Sequence, residues 1–133
     1  MRMIFLNLPV RDLARSTAFF TRLGFEVNPR FSDRSATCLV VDRNIVVMLL
    51  AEERFRDFLT GEVADARAAT EVVTGLSADS REQVDETIAC ALAEGGKPWK
   101  PVVERGPVYG GSFQDLDGHV WELLHTSPSG GAH

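Results

Sequence analysis

The sequence predicts an α+β fold: two paired βαβββ modules forming a curled, cup-shaped mixed sheet with helices outside. Two observations predict it. A strand and helix pattern runs from residue 4 to residue 50 and restarts at residue 71. The two runs also align, FLNLPVRD (5–12) over VTGLSADS (73–80) and CLVVDRNIVVMLL (38–50) over SFQDLDGHVWELL (112–124) without a gap. Such a repeat is one supersecondary unit copied, and each copy has a bare sheet face to cover.

The elements follow in order. Residues 4–10 read as a strand, with Phe5 and Asn7 on one face and Ile4, Leu6 and Leu8 on the other. Asp12 is an N-cap for a helix over 13–23 that buries Leu13, Phe20 and Leu23 and stops at Gly24. Residues 25–28 form a short strand, and 36–41 with 45–50 form a hairpin around Arg43 and Asn44. The charged stretch 52–69, with Phe55, Phe58 and Leu59 at helical spacing, reads as a connecting helix plus a loop. Residues 71–78 are the next strand. Ser80 and Gln83 make a capping box for a helix carrying Val84, Ile88, Ala91 and Leu92, which Gly95 and Gly96 end. A strand near 98–103, interrupted by prolines, precedes the final hairpin. The expected organisation is one domain over 1–133: module 1 at about 3–51, connector 52–69, module 2 at about 70–126, and a frayed tail 127–133.

That hairpin, SFQDLDGHVWELLH (112–125), turns at Asp117-Gly118, a dipeptide that favours a type I′ turn. On its second strand Val120, Glu122 and Leu124 share one face, and Trp121, Leu123 and His125 share the other. Parity puts Trp121 in the core and leaves Glu122 among apolar residues. A carboxylate in such a place needs a partner or has a function. As a structural group it accepts hydrogen bonds from Asn7, Ser112, Tyr109 or an arginine. As a functional group it is a general acid or base, or it orients a cationic or hydrogen-bond-donating ligand. Asn7, Ser112 and Gln114 are inward polar candidates. Trp99 and Tyr109 lie in the segment 97–111, rich in Pro and Gly, which forms a rim or lid where aromatics stack on a ligand or pack on the connector.

Composition limits the partners. A net charge of −5 argues against nucleic acid, whose binders carry a basic face. No apolar run approaches the roughly 20 residues that span a bilayer, and the start MRMIFLNLPV lacks a signal-peptide pattern. Cys38 and Cys90 read as reduced core thiols of a cytoplasmic protein, and Cys38 has no neighbour that would activate it.

The phrases NLPVRDL-x-x-S-x-x-FF-x-x-LGF early and F-x-D-x-DGH-x-WEL late resemble the vicinal oxygen chelate superfamily, which includes glyoxalase I, bleomycin and fosfomycin resistance proteins and extradiol dioxygenases. Within it the chain is similar to the bacterial branch labelled lactoylglutathione lyase-related, over about residues 3–126. Metal-dependent members hold a divalent cation with one side chain from each of four strands. The resemblance carries those positions onto Phe5, Met48, Val73 and Glu122, of which only Glu122 can bind a hard cation. Asn7 and Gln114 could add amide oxygens, whereas His119 and His125 should not point inward.

The resemblance and the residues together imply a protein whose cup, free of metal, binds a small organic molecule, with Glu122 and Asn7 orienting it. No cofactor is expected, a divalent metal being the less favoured case. The alternative is a glyoxalase-type lyase or isomerase on a small oxygenated substrate, assisted by metal or by Glu122 alone. A third reading fills the cup with Phe5, Met48 and Val73 themselves. A homodimer is expected, because edge strands need covering.

Overall fold

The computed structural model describes residues 1–127, so all but the first residue of the expected tail lies outside the described residues. It is a mixed α+β structure with two sheets, of four and five strands, and three α-helices among the described residues. The described chain divides into two compact units, the first over residues 1–65 and the second starting at residue 66.

In the first unit the elements are β1 (Ile4–Val10), α1 (Leu13–Arg22), β2 (Glu26–Val27), a 3-10 turn (Pro29–Phe31), β3 (Ala36–Asp42), β4 (Ile45–Ala51) and α2 (Glu52–Arg56). The strand order is β1-β4-β3-β2, with β1 parallel to β4 and the other pairs antiparallel. Pairing sets the faces. Phe5 lies opposite Val46, Asn7 opposite Met48, and Cys38 opposite Met48, so these side chains share one side. Leu39, Val47 and Leu49 share the other side and are fully buried. That side carries α1, where Thr17 Oγ1 and Thr37 Oγ1 lie 2.8 Å apart.

Asp12 caps α1 as expected, its carboxylate accepting the Arg15 N–H at 3.1 Å. The helix buries Phe20 as the sequence suggested, and the centre of its buried face extends to Ser16 and Phe19. Ser16, Phe19 and Phe20 are buried, while Leu13 and Leu23, at the two ends, are half-buried. The spacing of 16, 19 and 20 is itself one helix face. Phe19 meets Phe20 edge-on at 5.0 Å, and Phe20 stacks on Phe25 at 5.5 Å, which anchors the return to β2.

The second unit repeats the plan with β5 (Val73–Ser77), α3 (Arg81–Ala93), β6 (Lys97–Pro98), β7 (Val103–Arg105), β8 (Val108–Gln114) and β9 (Val120–Thr126). Its order is β5-β9-β8-β6, with β7 also pairing β8. The sequence repeat survives as register. Phe5 pairs Val46 in one unit, and its aligned counterpart Val73 pairs Val120, the counterpart of Val46, in the other. Ser80 Oγ accepts the Gln83 N–H at 3.0 Å, and Gln83 Oε1 reaches back to the Asp79 N–H at 2.6 Å. Val84 and Ala91 of α3 are buried; Leu92 is exposed.

Two local expectations are corrected. The strand expected over 98–103 is two short pieces, with residues 99–102 outside the ladder. Pro98 and Pro101 have no N–H to give a ladder, and the Lys100 N–H goes to Ser112 Oγ at 3.1 Å. The turn of the last hairpin is not type I′ at Asp117-Gly118. Among the described residues no residue other than glycine has positive φ, so Asp117 cannot take the first left-handed position. Instead Gly118 N–H bonds Asp115 O at 3.1 Å, Asp115 N–H bonds His119 O at 2.9 Å, and Gly118 alone has φ +88°. The cause is Asp115. Its Oδ1 accepts the N–H of Asp117 at 2.9 Å and of His119 at 3.0 Å, which starts the turn two residues early.

Candidate functional site

Glu122 stands at the middle of β9, opposite Gly75 on β5 and Ser112 on β8. Alternation sends its neighbours Trp121 and Leu123 the other way, into the layer under α3, where both are buried. Gly75 carries no side chain on the face of Glu122; a Cβ there would lie 3.4 Å from Glu122 Oε1. The carboxylate therefore lies over bare backbone, in a cavity of about 380 Å³ contained in the second unit.

The walls are mostly apolar: Val73, Val103, Val108 and Leu124, with Trp99 and Pro101. Glu122 and Ser112 supply polar groups from the sheet, and Lys100 and Arg105 supply cations from the segment between β6 and β8. Ser112 is 7% exposed, and by accepting the Lys100 N–H it ties that segment to the sheet. No ion pair or side-chain hydrogen bond ends on the Glu122 carboxylate among the described residues.

Of the residues expected at the site, Glu122, Val73 and Ser112 come together here, and Trp99 joins them. Gln114 does not. It lines a smaller cavity of about 250 Å³ with Arg67, Lys97 and Asp115, and its amide lies 3.4 Å from Gly118 O. Tyr109 lies on the helix side, its hydroxyl donating to Asp85 Oδ1 at 2.7 Å and its ring 4.8 Å from the Arg81 guanidinium. The hydrogen bond to Asp85 holds the phenol above its ordinary pKa. Phe5 and Asn7 are exposed on β1 of the first unit, and Met48 beside them on β4 is half-buried. His125 Nδ1 lies 3.1 Å from Ala78 O, away from the Glu122 face.

Lys100 and Arg105 are pocket residues that pattern reading did not supply, since Lys100 sits on irregular chain and Arg105 ends a strand of three residues. Asp115 was missed as well, and it is structural. It is 4% exposed, accepts the Trp121 indole N–H at 2.9 Å, and holds the turn. Burial pushes its carboxyl up, against the pull of His119 and of the N–H donors. Burial likewise raises the Cys38 thiol, as suits an inert core cysteine.

Residues 2–42 match the family described as bleomycin resistance protein-like N-terminal. A hypothetical protein from S. aureus superimposes with a TM-score of 0.80 at 25% identity, over 94% of each chain. A glyoxalase/bleomycin resistance protein/dioxygenase family enzyme from Burkholderia phytofirmans gives 0.80 at 17% identity, over 95% of this chain and 99% of its own. The chain has the vicinal oxygen chelate fold. A genomically encoded fosfomycin resistance protein from Listeria monocytogenes, solved with Mn(II) and sulfate, shares that fold at 21% identity and a TM-score of 0.69, over 96% of this chain and 91% of its own. No curated protein matches the chain by sequence.

Vicinal oxygen chelate proteins that use metal set the standard for a donor test. Of the four positions to which the resemblance carries metal ligands, Phe5, Met48, Val73 and Glu122, one is a hard donor. Among the described residues no three His, Cys, Asp or Glu are grouped to hold a metal ion. Among the described residues no helix is long and apolar enough to cross a membrane.

Proposed function

We propose that the protein binds a small organic molecule in the pocket of its second unit, without a metal, and that Glu122 fixes the ligand's orientation. The observation that carries this is a carboxylate without a protein partner in a walled, mainly apolar cavity of about 380 Å³. Ligand sites have this makeup: apolar walls for area and a few convergent polar groups for direction. The open volume beside Glu122 also speaks against a module filled by its own side chains. Val73 borders the cavity and remains 49% exposed.

Lone and partnerless, Glu122 is matched best by a donor: an amine, amidine or hydroxyl. Removing its charge while keeping its shape leaves one neutral amide oxygen to accept and sets an NH2 in place of the other oxygen, so the charge-assisted bond is lost at a cost of up to about 1.5–3 kcal/mol, or at most roughly 10- to 150-fold in affinity. Thermal-shift screening of cationic antibiotics and small metabolites against the native chain and Glu122→Gln tests the reading. Binders that lose affinity in the variant support it. Glu122-dependent turnover of an oxygenated substrate would replace it with the lyase or isomerase chemistry of glyoxalase-type proteins. Elemental analysis of protein purified without chelator should show no stoichiometric transition metal.

A homodimer belongs to the same proposal. Both β1 and β5 are edge strands of their sheets, and Ile4 and Phe5 on β1 are more than half exposed. Sedimentation equilibrium should give twice the chain mass, and a monomer at micromolar concentration removes this part.

A further inference from the structure

The pocket holds charges of both signs that do not meet. Glu122 rises from the sheet, while Lys100 and Arg105 enter from the segment that borders the cavity. None of the three forms an ion pair among the described residues. Each is held apart by backbone placement. Lys100 is set by its own N–H on Ser112, the cross-strand neighbour of Glu122. Arg105 is set by β7, where it pairs with Val108, four residues along β8 from Ser112 and so roughly 13 Å away along the strand.

Alternation along β7 explains why Arg105 stays available. Glu104, the nearest acid in sequence, forms an ion pair with Arg81 of α3, whereas Val103 and Arg105 border the cavity. Apolar surface from Val103, Leu124 and Trp99 lies among these charges.

We infer that the ligand of this pocket is a zwitterion: an amine for Glu122 and a carboxylate for Lys100 or Arg105, joined by a short apolar spacer. The inference rests on the proposed binding pocket and narrows its ligand class. A ligand with only a cation leaves Lys100 and Arg105 without a partner, and one with only an anion brings like charge to Glu122. A ligand with both satisfies both ends and can be rigid between them, which limits the ordering entropy lost on binding.

The test uses three matched probes on the full chain: 4-(aminomethyl)benzoate, 4-methylbenzylamine and 4-methylbenzoate, with affinities from calorimetry and tryptophan fluorescence. The zwitterion should bind at least about tenfold more tightly than either single ion. The exposed pair Lys100→Ala/Arg105→Ala should remove that advantage while 4-methylbenzylamine binds no more weakly than to the native chain, since two like charges leave its surroundings, and Glu122→Gln should weaken both amines. A zwitterion no tighter than both single ions, including no binding by any of the three, overturns the inference, as does an unaltered advantage in the Lys100/Arg105 variant. Should 4-methylbenzylamine bind in a Glu122-dependent way with no gain from the carboxylate, the zwitterion fails and the pocket stands. Failure of the pocket itself is read separately, from the wider panel above.

Discussion

Asp115→Ala should be among the most destabilising single changes outside the apolar core. The carboxylate is 4% exposed and accepts three N–H groups: Trp121 Nε1 at 2.9 Å, Asp117 N at 2.9 Å and His119 N at 3.0 Å. Trp121 is 1% exposed, so its indole N–H has no water to turn to. Leaving one buried donor unsatisfied costs about 1–3 kcal/mol. The two turn amides add to this, and relief of the buried charge subtracts from it, so the expected loss is about 2–4 kcal/mol. Asp115→Asn keeps an oxygen for the two amides but sets an NH2 against the indole N–H, and should lose about 1–3 kcal/mol. Urea unfolding followed by tryptophan fluorescence measures both, with the slope unchanged. The sign with pH follows from burial, which raises the folded carboxyl above its ordinary 3.8. A raised folded pKa means stability that is full below about pH 3.8 and is lost as pH rises through the folded value. The advantage of the native chain over Asp115→Asn should therefore be larger in acid and narrow toward neutrality. A loss under about 0.5 kcal/mol for Asp115→Ala would show that the turn and Trp121 do not depend on this carboxylate.

Two further outcomes test the packing. A Cβ at Gly111 would lie 2.3 Å from Ile88 Cδ1 and 3.2 Å from Val102 Cγ2, so Gly111→Ala should cost about 1–3 kcal/mol, and Ile88→Val alongside it should recover part of the loss by chemical denaturation. Cys38 is buried with a raised thiol pKa, so a disulfide reagent at pH 8 should modify it only on unfolding; rapid labelling of the native chain would contradict its placement.

What the sequence made legible was whatever depends on alternation and repetition. The period of two separated Glu122 from Trp121 and Leu123, and the structure buries the latter pair under α3 while Glu122 borders the cavity. The gapless alignment of the two halves reappears as matching register, Phe5 with Val46 and Val73 with Val120. Caps were legible too, because Asp12 and Ser80 act on amides three residues away. The rest depended on contacts distant in sequence. Asp115 reads as an ordinary turn acid until Trp121 folds back on it. Lys100 reaches the pocket because the chain between Pro98 and Pro101 gives up its ladder and bonds Ser112 instead, and Arg105 reaches it from β7, a strand too short to show a period. Tyr109 is instructive in the opposite sense. Its odd position on β8, against the even Ser112, already assigns it to the helix face, but a segment rich in Pro and Gly conceals where the strand begins.

Native mass spectrometry of the protein as isolated from cells tests the central claim most directly, with Glu122→Gln prepared in parallel. The account predicts a small organic adduct on the native chain, much reduced in the variant, and no transition-metal mass on either. A stoichiometric metal, or the same adduct at the same occupancy in both proteins, would contradict it.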